Sequence, residues 1–214
     1  MECPQTTSSF HWLVRRQAGP QTTPHKRPVV LPIKIFWNLR SAPSRTVVTV
    51  ARATRADAEY THVDLVAQEH KSDEYIQQIN PLGKVPAALL PDRSTTLWES
   101  AAICKYLCMS SRLGASLYPA DPLRRAKVDM YYDFWNCYLH PSATEVMNSQ
   151  LGLVHYSDAA LEETFDKLHA ALRNVDSFFK AGEMYLTGNS LTIADMGRLG
   201  GHRDRGQLVK EQMV

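Results

Sequence analysis

Three features are scarce in this chain, and each scarcity argues against a class of function. No apolar run reaches the roughly 20 residues that span a bilayer, so we predict no membrane partner. The charges nearly cancel, with 24 basic and 22 acidic residues, and leave no basic footprint for nucleic acid. The four cysteines lack the spacing of metal ligands, so we predict no metal site and expect reduced thiols.

Residues 1–32 differ in composition from the rest of the chain. They carry four basic residues against a single acid, Glu2, and show no sustained apolar periodicity. This composition predicts a disordered or targeting extension, and an organelle transit peptide, a plain tail and a misassigned start codon all fit it. Without organelle targeting by this segment, we expect a cytoplasmic protein.

The stretch NPLGKVPAALLPDRSTTLWES, residues 80–100, predicts a hairpin that leads into a helix. An apolar run at 85–90 is followed by a Pro-Asp-Arg-Ser turn cluster, and a strand resumes at 95–98, an order that is typical of two antiparallel strands. Pro86 cannot donate a ladder hydrogen bond, so the Val85-Pro86 step suits an edge, a bulge or a cis turn. Each of these leaves the main chain of Val85 free to pair with a ligand.

Glu99 and Ser100 stand at the start of the helix predicted over residues 101–108, where apolar residues recur at helical spacing. The unpaired N–H groups and the dipole of a helix N-terminus favour an anion such as a carboxylate, while a glutamate side chain accepts from an ammonium. The pair therefore fits one end of an amino acid zwitterion. An ordinary helix cap uses the same residue types.

The rest of the chain shows two patterns. Strands and helices alternate at the start, at residues 33–37, 43–53, 60–65 and 72–79. With the hairpin and the helix that follow, they give the order β-α-β-α-β-β-α. From Asp121 onward only helical periodicity remains, with a turn predicted at His140-Pro141 and a long amphipathic helix capped by Ser157.

Several segments resemble glutathione transferases. NPLGKVPA followed by ES and AICKYL is similar to their N-terminal domain, and the likeness spans residues 33–195. SAPSR at 41–45 and QEHKS at 68–72 resemble segments of the theta class, with the phi class second. The resemblance implies an α/β thioredoxin-like, glutathione-binding domain with a mixed four-stranded sheet at 33–108, a linker at 109–119, and an all-helical domain at 120–195.

The resemblance also implies a chemistry. Glutathione is the expected co-substrate of a homodimeric detoxification enzyme that conjugates it to a small hydrophobic electrophile, reduces organic hydroperoxides with it, or does both. The implied catalytic residue is Ser41, and the implied glutathione-binding residues are His70, Lys84, Val85, Glu99 and Ser100. For the histidine and the lysine, the plain alternative is a solvated loop residue.

Ser41 stands just ahead of the helix predicted at 43–53, where its hydroxyl can donate to a thiolate. Lowering a thiol pKa by two units from about 8.5 requires roughly 2.7 kcal/mol. A charge-assisted hydrogen bond of roughly 1.5–3 kcal/mol and a helix terminus of roughly 0.3–1 kcal/mol supply that preference. A simple N-cap is the alternative for a lone serine, and Ser44 is the nearest rival for the hydroxyl role.

The sequence departs from the family pattern in two places. Theta-class proteins commonly carry an arginine near the active site in the helical domain, where YLHPSA places His140. After Asp195, residues 196–214 form an atypical polar tail with four glycines, each costing roughly 1 kcal/mol in a helix. We therefore expect a truncated helical domain, and the alternative functions are a noncatalytic transferase-like assembly module and an inactive truncated isoform.

Overall fold

The computed structural model describes residues 31–150, 152, 154–179 and 184–199 of the chain. The predicted extension at 1–32 lies outside the described residues apart from Leu31 and Pro32, and the predicted polar tail lies outside them from Gly200 onward. All described residues belong to one compact unit.

The sheet contains four strands, which are β1 (Ile33–Trp37), β2 (Ala58–His62), β3 (Ala87–Leu89) and β4 (Thr96–Trp98). Their spatial order is β2-β1-β3-β4, in which β1 runs parallel to β2 and antiparallel to β3, and β3 runs antiparallel to β4. The register pairs Ile35 with Tyr60 on one side and with Ala88 on the other. This arrangement confirms the predicted α/β thioredoxin-like fold with a mixed four-stranded sheet.

The helices fall into two groups along the chain. The first group is α1 (Ala42–Ala53), α2 (Asp73–Gln78) and α3 (Ser100–Met109), with a 3₁₀ turn at Glu69–Lys71. The second group is α4 (Gly114–Leu117), α5 (Pro122–Phe134), a π-helical turn (Trp135–Leu139), α6 (His140–Gln150), α7 (Asp158–Phe178) and α8 (Ile193–Leu199). The second group confirms the predicted helical region, and none of the described helices is long and apolar enough to cross a membrane.

Short polar side chains determine where several helices begin. The caps of α1, α2, α5 and α7 are Ser41, Ser72, Asp121 and Ser157, and each side chain accepts from the N–H three residues later. Such caps satisfy one of the unpaired N–H groups at a helix start. The start of α1, and with it the position of Ser41, is therefore determined by local chemistry.

One hydrophobic core joins the sheet to the second group of helices. Ile35 on β1 and Ile103 on α3 are buried in one cluster with Tyr132 on α5 and Ile193 on α8. Because successive strand residues point to opposite faces, Phe36 belongs to a second cluster on the other face of the sheet. The shared core, with α8 packed on both α1 and α5, fixes the helical region against the sheet side.

The second strand ends earlier than the sequence predicts. The predicted strand at 60–65 lies at Ala58–His62 instead. Asp64 turns the chain there, because its Oδ1 accepts from the N–H groups of Val66 and Ala67 at 2.8 and 3.1 Å. Asp and Asn side chains that bond the main chain two residues on are typical turn formers.

The turn predicted at His140-Pro141 is wrong, because the helix continues through it. α5 passes into the π-helical turn and then into α6 without a break. Pro141 lacks an N–H, and in a regular α-helix its ring crowds the carbonyl four residues earlier. The wider π turn is closed by the His140 N–H donating to the Trp135 carbonyl, and it accommodates the proline in the first turn of α6.

Candidate functional site

A cavity of about 960 Å³ lies between the sheet side and the helical region. Its sheet-side wall is mostly polar and consists of Arg40, Ser41, Ala42, Pro43, Arg45, Asn80, Lys84, Val85, Pro86, Glu99 and Ser100. Its helical wall is mostly apolar and consists of Trp135, Asn136, Leu139, His140, Pro141, Ala143, Thr144, Met147, Leu168, Leu172, Val175 and Asp176. Five of the six predicted site residues lie on the sheet-side wall, and His70 does not line the cavity.

Ser41 lies on the loop between β1 and α1, partly buried at the edge of the cavity. Its main chain is extended, as in other N-caps, and its Oγ accepts from the Ser44 N–H at 3.2 Å. None of the described residues accepts the hydroxyl hydrogen of Ser41. The hydroxyl is therefore an unused donor at the N-terminus of α1, where the helix dipole favours negative charge.

Asn38 anchors the loop that carries Ser41. The Asn38 Oδ1 accepts from the Arg40 N–H at 2.8 Å, and the Asn38 carbonyl accepts from the Ser41 N–H at 3.1 Å. Its Nδ2 donates to the Val63 carbonyl at 2.8 Å and to His62 Nε2 at 3.2 Å, which ties the loop to the end of β2. Sequence reasoning missed this residue, because an asparagine after a strand is equally typical of an ordinary turn.

Lys84 and Val85 lie on the loop before β3. The Lys84 carbonyl accepts from the Tyr75 hydroxyl at 3.0 Å and from Asn80 Nδ2 at 2.8 Å, which holds the loop in place. The peptide bond between Val85 and Pro86 is cis, one of the three geometries that the sequence allowed. Within the described part of the chain, no hydrogen bond engages the main-chain N–H or carbonyl of Val85, so both groups remain available to a peptide ligand.

Glu99 is the N-cap of α3, and Ser100 is the first residue of that helix. Glu99 has a φ of 70°, a left-handed conformation that few non-glycine residues adopt and that clusters at binding sites. Its side chain makes no capping hydrogen bond, so the carboxylate is not committed to the helix. Ser100 is buried, with its Oγ 3.5 Å from the Tyr132 hydroxyl. The pair presents a carboxylate beside the unpaired N–H groups of a helix start.

His70 lies next to the sheet-side wall, on the 3₁₀ turn. A Cβ at Gly83 would lie 2.9 Å from the His70 carbonyl oxygen, and Gly83 has a φ of 56°, so glycine allows the two loops to approach. The Nδ1 of His70 is buried and has no hydrogen-bond partner among the described residues. Burial, and then the positive charge of Lys71, lowers the pKa of His70 and favours the neutral ring.

Trp135 and His140 contribute aromatic rings to the helical wall. Their rings stack with centroids 4.9 Å apart and planes 10° apart. Burial, and then the positive charge of Arg45, lowers the pKa of His140, so the imidazole is neutral at neutral pH. Sequence reasoning left Trp135 without a role, because an aromatic run at helical spacing is more often core.

Other nucleophilic side chains in this region are poorly suited to catalysis. Burial raises the pKa of the Cys104 and Cys108 thiols to about 12, so both stay protonated. Ser44 is fully buried, does not line the cavity, and its Oγ has no partner among the described residues. Across the described ranges, no group of three or more His, Cys, Asp or Glu residues is arranged to hold a metal ion.

Comparison with known sequences gives consistent matches. The family model described as glutathione S-transferase, N-terminal domain, matches residues 33–108. Human glutathione S-transferase theta-1 is 31% identical over 169 residues, which cover 77% of this chain and 69% of that protein. Human glutathione S-transferase theta-2B is 32% identical over 170 residues, which cover 77% of this chain and 68% of that protein.

Comparison with solved structures points to the same group. The apo form of human glutathione-S-transferase T1-1 has a TM-score of 0.71 at 30% identity, covering 78% of this chain and 71% of that one. A Drosophila mojavensis glutathione transferase homologue, solved with bound glutathione, has a TM-score of 0.71 at 29% identity, covering 79% of this chain and 75% of that one. Bombyx mori glutathione transferase BmGSTD1 has a TM-score of 0.70 at 29% identity, covering 79% of this chain and 76% of that one.

Proposed function

Since this chain belongs to the glutathione S-transferase family, we propose that it binds glutathione in the cavity and transfers it as a thiolate to an electrophile. One observation carries the proposal: three features converge on the sheet-side wall, namely the Ser41 hydroxyl, the unpaired main chain of Val85, and the start of α3 at Glu99 and Ser100. They come from three separate segments, and each suits a different part of a thiol peptide.

An extended thiol tripeptide matches the sheet-side wall group by group. In the proposed complex, the main chain of its cysteinyl residue pairs with Val85. The γ-glutamyl carboxylate lies at the start of α3, and the neighbouring ammonium donates to Glu99. The glycyl carboxylate lies toward Lys84 and His70, whose buried Nδ1 lacks a partner among the described residues. We assign residues 33–108 to this glutathione-binding domain, 109–119 to a linker and 120–195 to the helical domain.

Ser41 is the proposed catalytic residue. Its Oγ already accepts from the Ser44 N–H, so its own hydrogen is left to donate to the glutathione sulfur. A hydrogen bond to a charged group contributes roughly 1.5–3 kcal/mol and a helix N-terminus roughly 0.3–1 kcal/mol, enough to lower a thiol pKa by about two units. The thiol proton leaves to solvent, and the thiolate forms a carbon–sulfur bond as the leaving group departs with its electron pair.

The apolar helical wall suits a small hydrophobic electrophile next to the thiolate. An organic hydroperoxide of similar size would meet the same sulfur, which would attack the terminal oxygen as the O–O bond breaks, and the departing alkoxide would take a proton from solvent and leave as an alcohol. A second glutathione would then convert the sulfenic acid to a disulfide and water. Rates with an alkyl halide and with an organic hydroperoxide separate conjugation from peroxidase activity. We further expect a homodimer, which light scattering of the purified chain checks.

A thermal melt with and without millimolar glutathione tests the proposal. A ligand that binds only the folded state raises the unfolding transition, by about 2.7 kcal/mol at a hundredfold excess over Kd. Glu99→Gln keeps the shape of the side chain and removes the charge that meets the ammonium, so its shift should be smaller. Glu163→Gln changes an exposed residue of α7 in the same way and should shift like the wild type.

The melt distinguishes the proposed function from its two alternatives. A cooperative transition that glutathione raises supports a transferase with a competent glutathione site. A cooperative transition that glutathione leaves unchanged contradicts the proposal and favours the noncatalytic assembly module. A broad transition without a shift favours the inactive isoform.

A further inference from the structure

The π-helical turn at Trp135–Leu139 directs His140 toward the cavity. The His140 N–H donates to the Trp135 carbonyl five residues earlier, a bond that occurs mostly in single turns, which are frequent at functional sites. In a regular α-helix, residues five apart point in directions that differ by roughly 140°. The wider π turn brings these two residues to one face, where their rings stack and both line the cavity.

The contacts of Thr144 favour one of the two neutral forms of the His140 ring. The Thr144 hydroxyl donates its one hydrogen to the His140 carbonyl at 2.8 Å. The same oxygen lies 3.4 Å from His140 Nδ1. Since the hydroxyl has no second hydrogen, this contact is a hydrogen bond only when Nδ1 carries the hydrogen and donates it. The other ring nitrogen, Nε2, then holds a lone pair and acts as an acceptor.

The surroundings of His140 leave this acceptor available. Nε2 has no hydrogen-bond partner in the part of the chain that the structure describes. The helical wall around it is mostly apolar and includes Leu139 and Met147. Burial and the charge of Arg45 keep the ring neutral at neutral pH. Since Nε2 is not among the buried unpaired atoms, it is reachable from the cavity, and a ligand hydroxyl can donate to it in place of water.

We propose that His140 is a specificity-determining residue that favours electrophiles carrying a hydroxyl group, whose hydrogen Nε2 accepts. The inference rests on the proposed function, because the hydroxyl is carried by the electrophile that the glutathione sulfur attacks. Hydroxylated aromatic electrophiles fit the wall best, since their ring packs on its apolar residues. A matched electrophile that lacks the hydroxyl leaves the acceptor unpaired and binds more weakly.

S-benzylglutathione and its ortho-, meta- and para-hydroxybenzyl counterparts test this proposal, because they differ only in one hydroxyl. Calorimetry gives the Kd of each for the wild type and for His140→Phe, which keeps a ring on Trp135 and removes the acceptor. His155→Phe makes the same change at an exposed position and is the matched control. In the wild type, at least one hydroxylated ligand should bind roughly 2- to 10-fold more tightly than S-benzylglutathione, the range of one neutral hydrogen bond.

The preference for the hydroxylated ligand should disappear in His140→Phe and persist in His155→Phe. A preference that survives His140→Phe, or no preference in the wild type, overturns the proposal and leaves the proposed function standing. If none of the ligands binds the wild type, the proposed function fails and the inference fails with it. If His140→Phe does not fold, nitrogen NMR of the wild type decides, because the hydroxylated ligand must perturb Nε2 more than Nδ1.

Discussion

The two walls of the cavity are built by different means. The sheet-side wall depends on main-chain geometry, with the cis step at Val85-Pro86, the left-handed Glu99 and the start of α3. The helical wall depends on which side chains of the helix point toward the cavity. The π turn at Trp135–Leu139 changes those directions. Under the proposed function, the first wall holds glutathione and the second receives the electrophile. Substitutions on the sheet-side wall should therefore change the binding of glutathione, and those on the helical wall should change which electrophile is preferred.

The largest effect is expected where the helical region is stabilised, at Asp195. This buried carboxylate accepts from the Leu186 N–H at 2.8 Å, and from the Thr192 N–H and hydroxyl at 2.9 and 3.0 Å. The substitution leaves buried donors without a partner, so Asp195→Ala should lower the free energy of unfolding by about 2–4 kcal/mol, the range of a broken buried hydrogen-bond network. Denaturant titration measures this loss.

Two further variants make the Asp195 prediction specific. Asp195→Asn keeps one acceptor oxygen and the shape of the side chain, so its loss should be smaller than that of Asp195→Ala. Asp158→Ala removes an exposed carboxylate in the first turn of α7 and should cost no more than about 1 kcal/mol. An Asp195→Ala chain as stable as the wild type would show that the helical wall does not depend on this carboxylate.

The next largest effect concerns catalysis on the sheet-side wall. Ser41→Ala removes the donor proposed for the thiolate and should raise the pKa of bound glutathione by one to two units, which lowers kcat/KM at neutral pH by roughly 10- to 100-fold. Because the thiolate is common to every reaction, the loss should be similar for all electrophiles. The pH dependence of kcat/KM and the ultraviolet absorbance of the bound thiolate measure the shift.

Ser44→Ala is the matched control for Ser41→Ala. Ser44 is buried, lies three residues later, and its Oγ has no partner among the described residues. Its removal should leave the pKa of bound glutathione unchanged. If Ser44→Ala raised this pKa as much as Ser41→Ala, or if Ser41→Ala slowed only one class of electrophile, the assigned role of Ser41 would be wrong.

Much of the sheet side was predictable, because its features are local. A proline such as Pro86 restricts the main chain in any fold. Polar residues before an apolar periodic segment indicate a helix start. These signals gave the hairpin, the cap at Ser41 and the start of α3 at Ser100, and the structure brings them to one cavity. The binding and catalytic roles of these residues stay predictions until glutathione binding is measured.

The helical wall and the Ser41 anchor were not predictable, because they depend on contacts between distant segments. Asn38 reaches Val63 across 25 positions of the chain, and no local pattern indicates that pairing. The π turn leaves no periodicity of its own, and a proline at 141 favours a helix break on local grounds. The unbroken helix packs through α6 on α7 and through α5 on α8, which are contacts between distant segments.

A smaller effect should appear on the helical wall at Met147. This side chain lines the cavity and is half exposed, so Met147→Ala removes part of an apolar contact without emptying the core. Affinity for S-hexylglutathione should fall roughly 2- to 5-fold, or about 0.5–1 kcal/mol, while affinity for glutathione should stay the same. Calorimetry with both ligands checks the contrast. An equal loss for both would mean that the two walls do not act separately.

The smallest effect concerns the pH dependence of stability through His140. Folding lowers the pKa of this side chain below its ordinary 6.5, so the unfolded chain takes up the proton at a higher pH than the folded chain. The free energy of unfolding should therefore fall as the pH drops below about 6.5, with a slope of at most one proton, about 1.4 kcal/mol per pH unit. Arg45, on the facing wall, acts in the same direction.

Comparing the wild type with His140→Phe isolates this contribution. His70 also has a lowered pKa, but it is present in both proteins and cancels in the difference. The wild-type minus variant difference in unfolding free energy, measured by denaturant titration, should decline from neutral to acid pH. A constant difference would mean that His140 titrates as it does in water, and hence that the helical wall does not bury it. In that case the acceptor proposed for the electrophile would already be satisfied by solvent, and the contrast between the two walls would be lost at this residue.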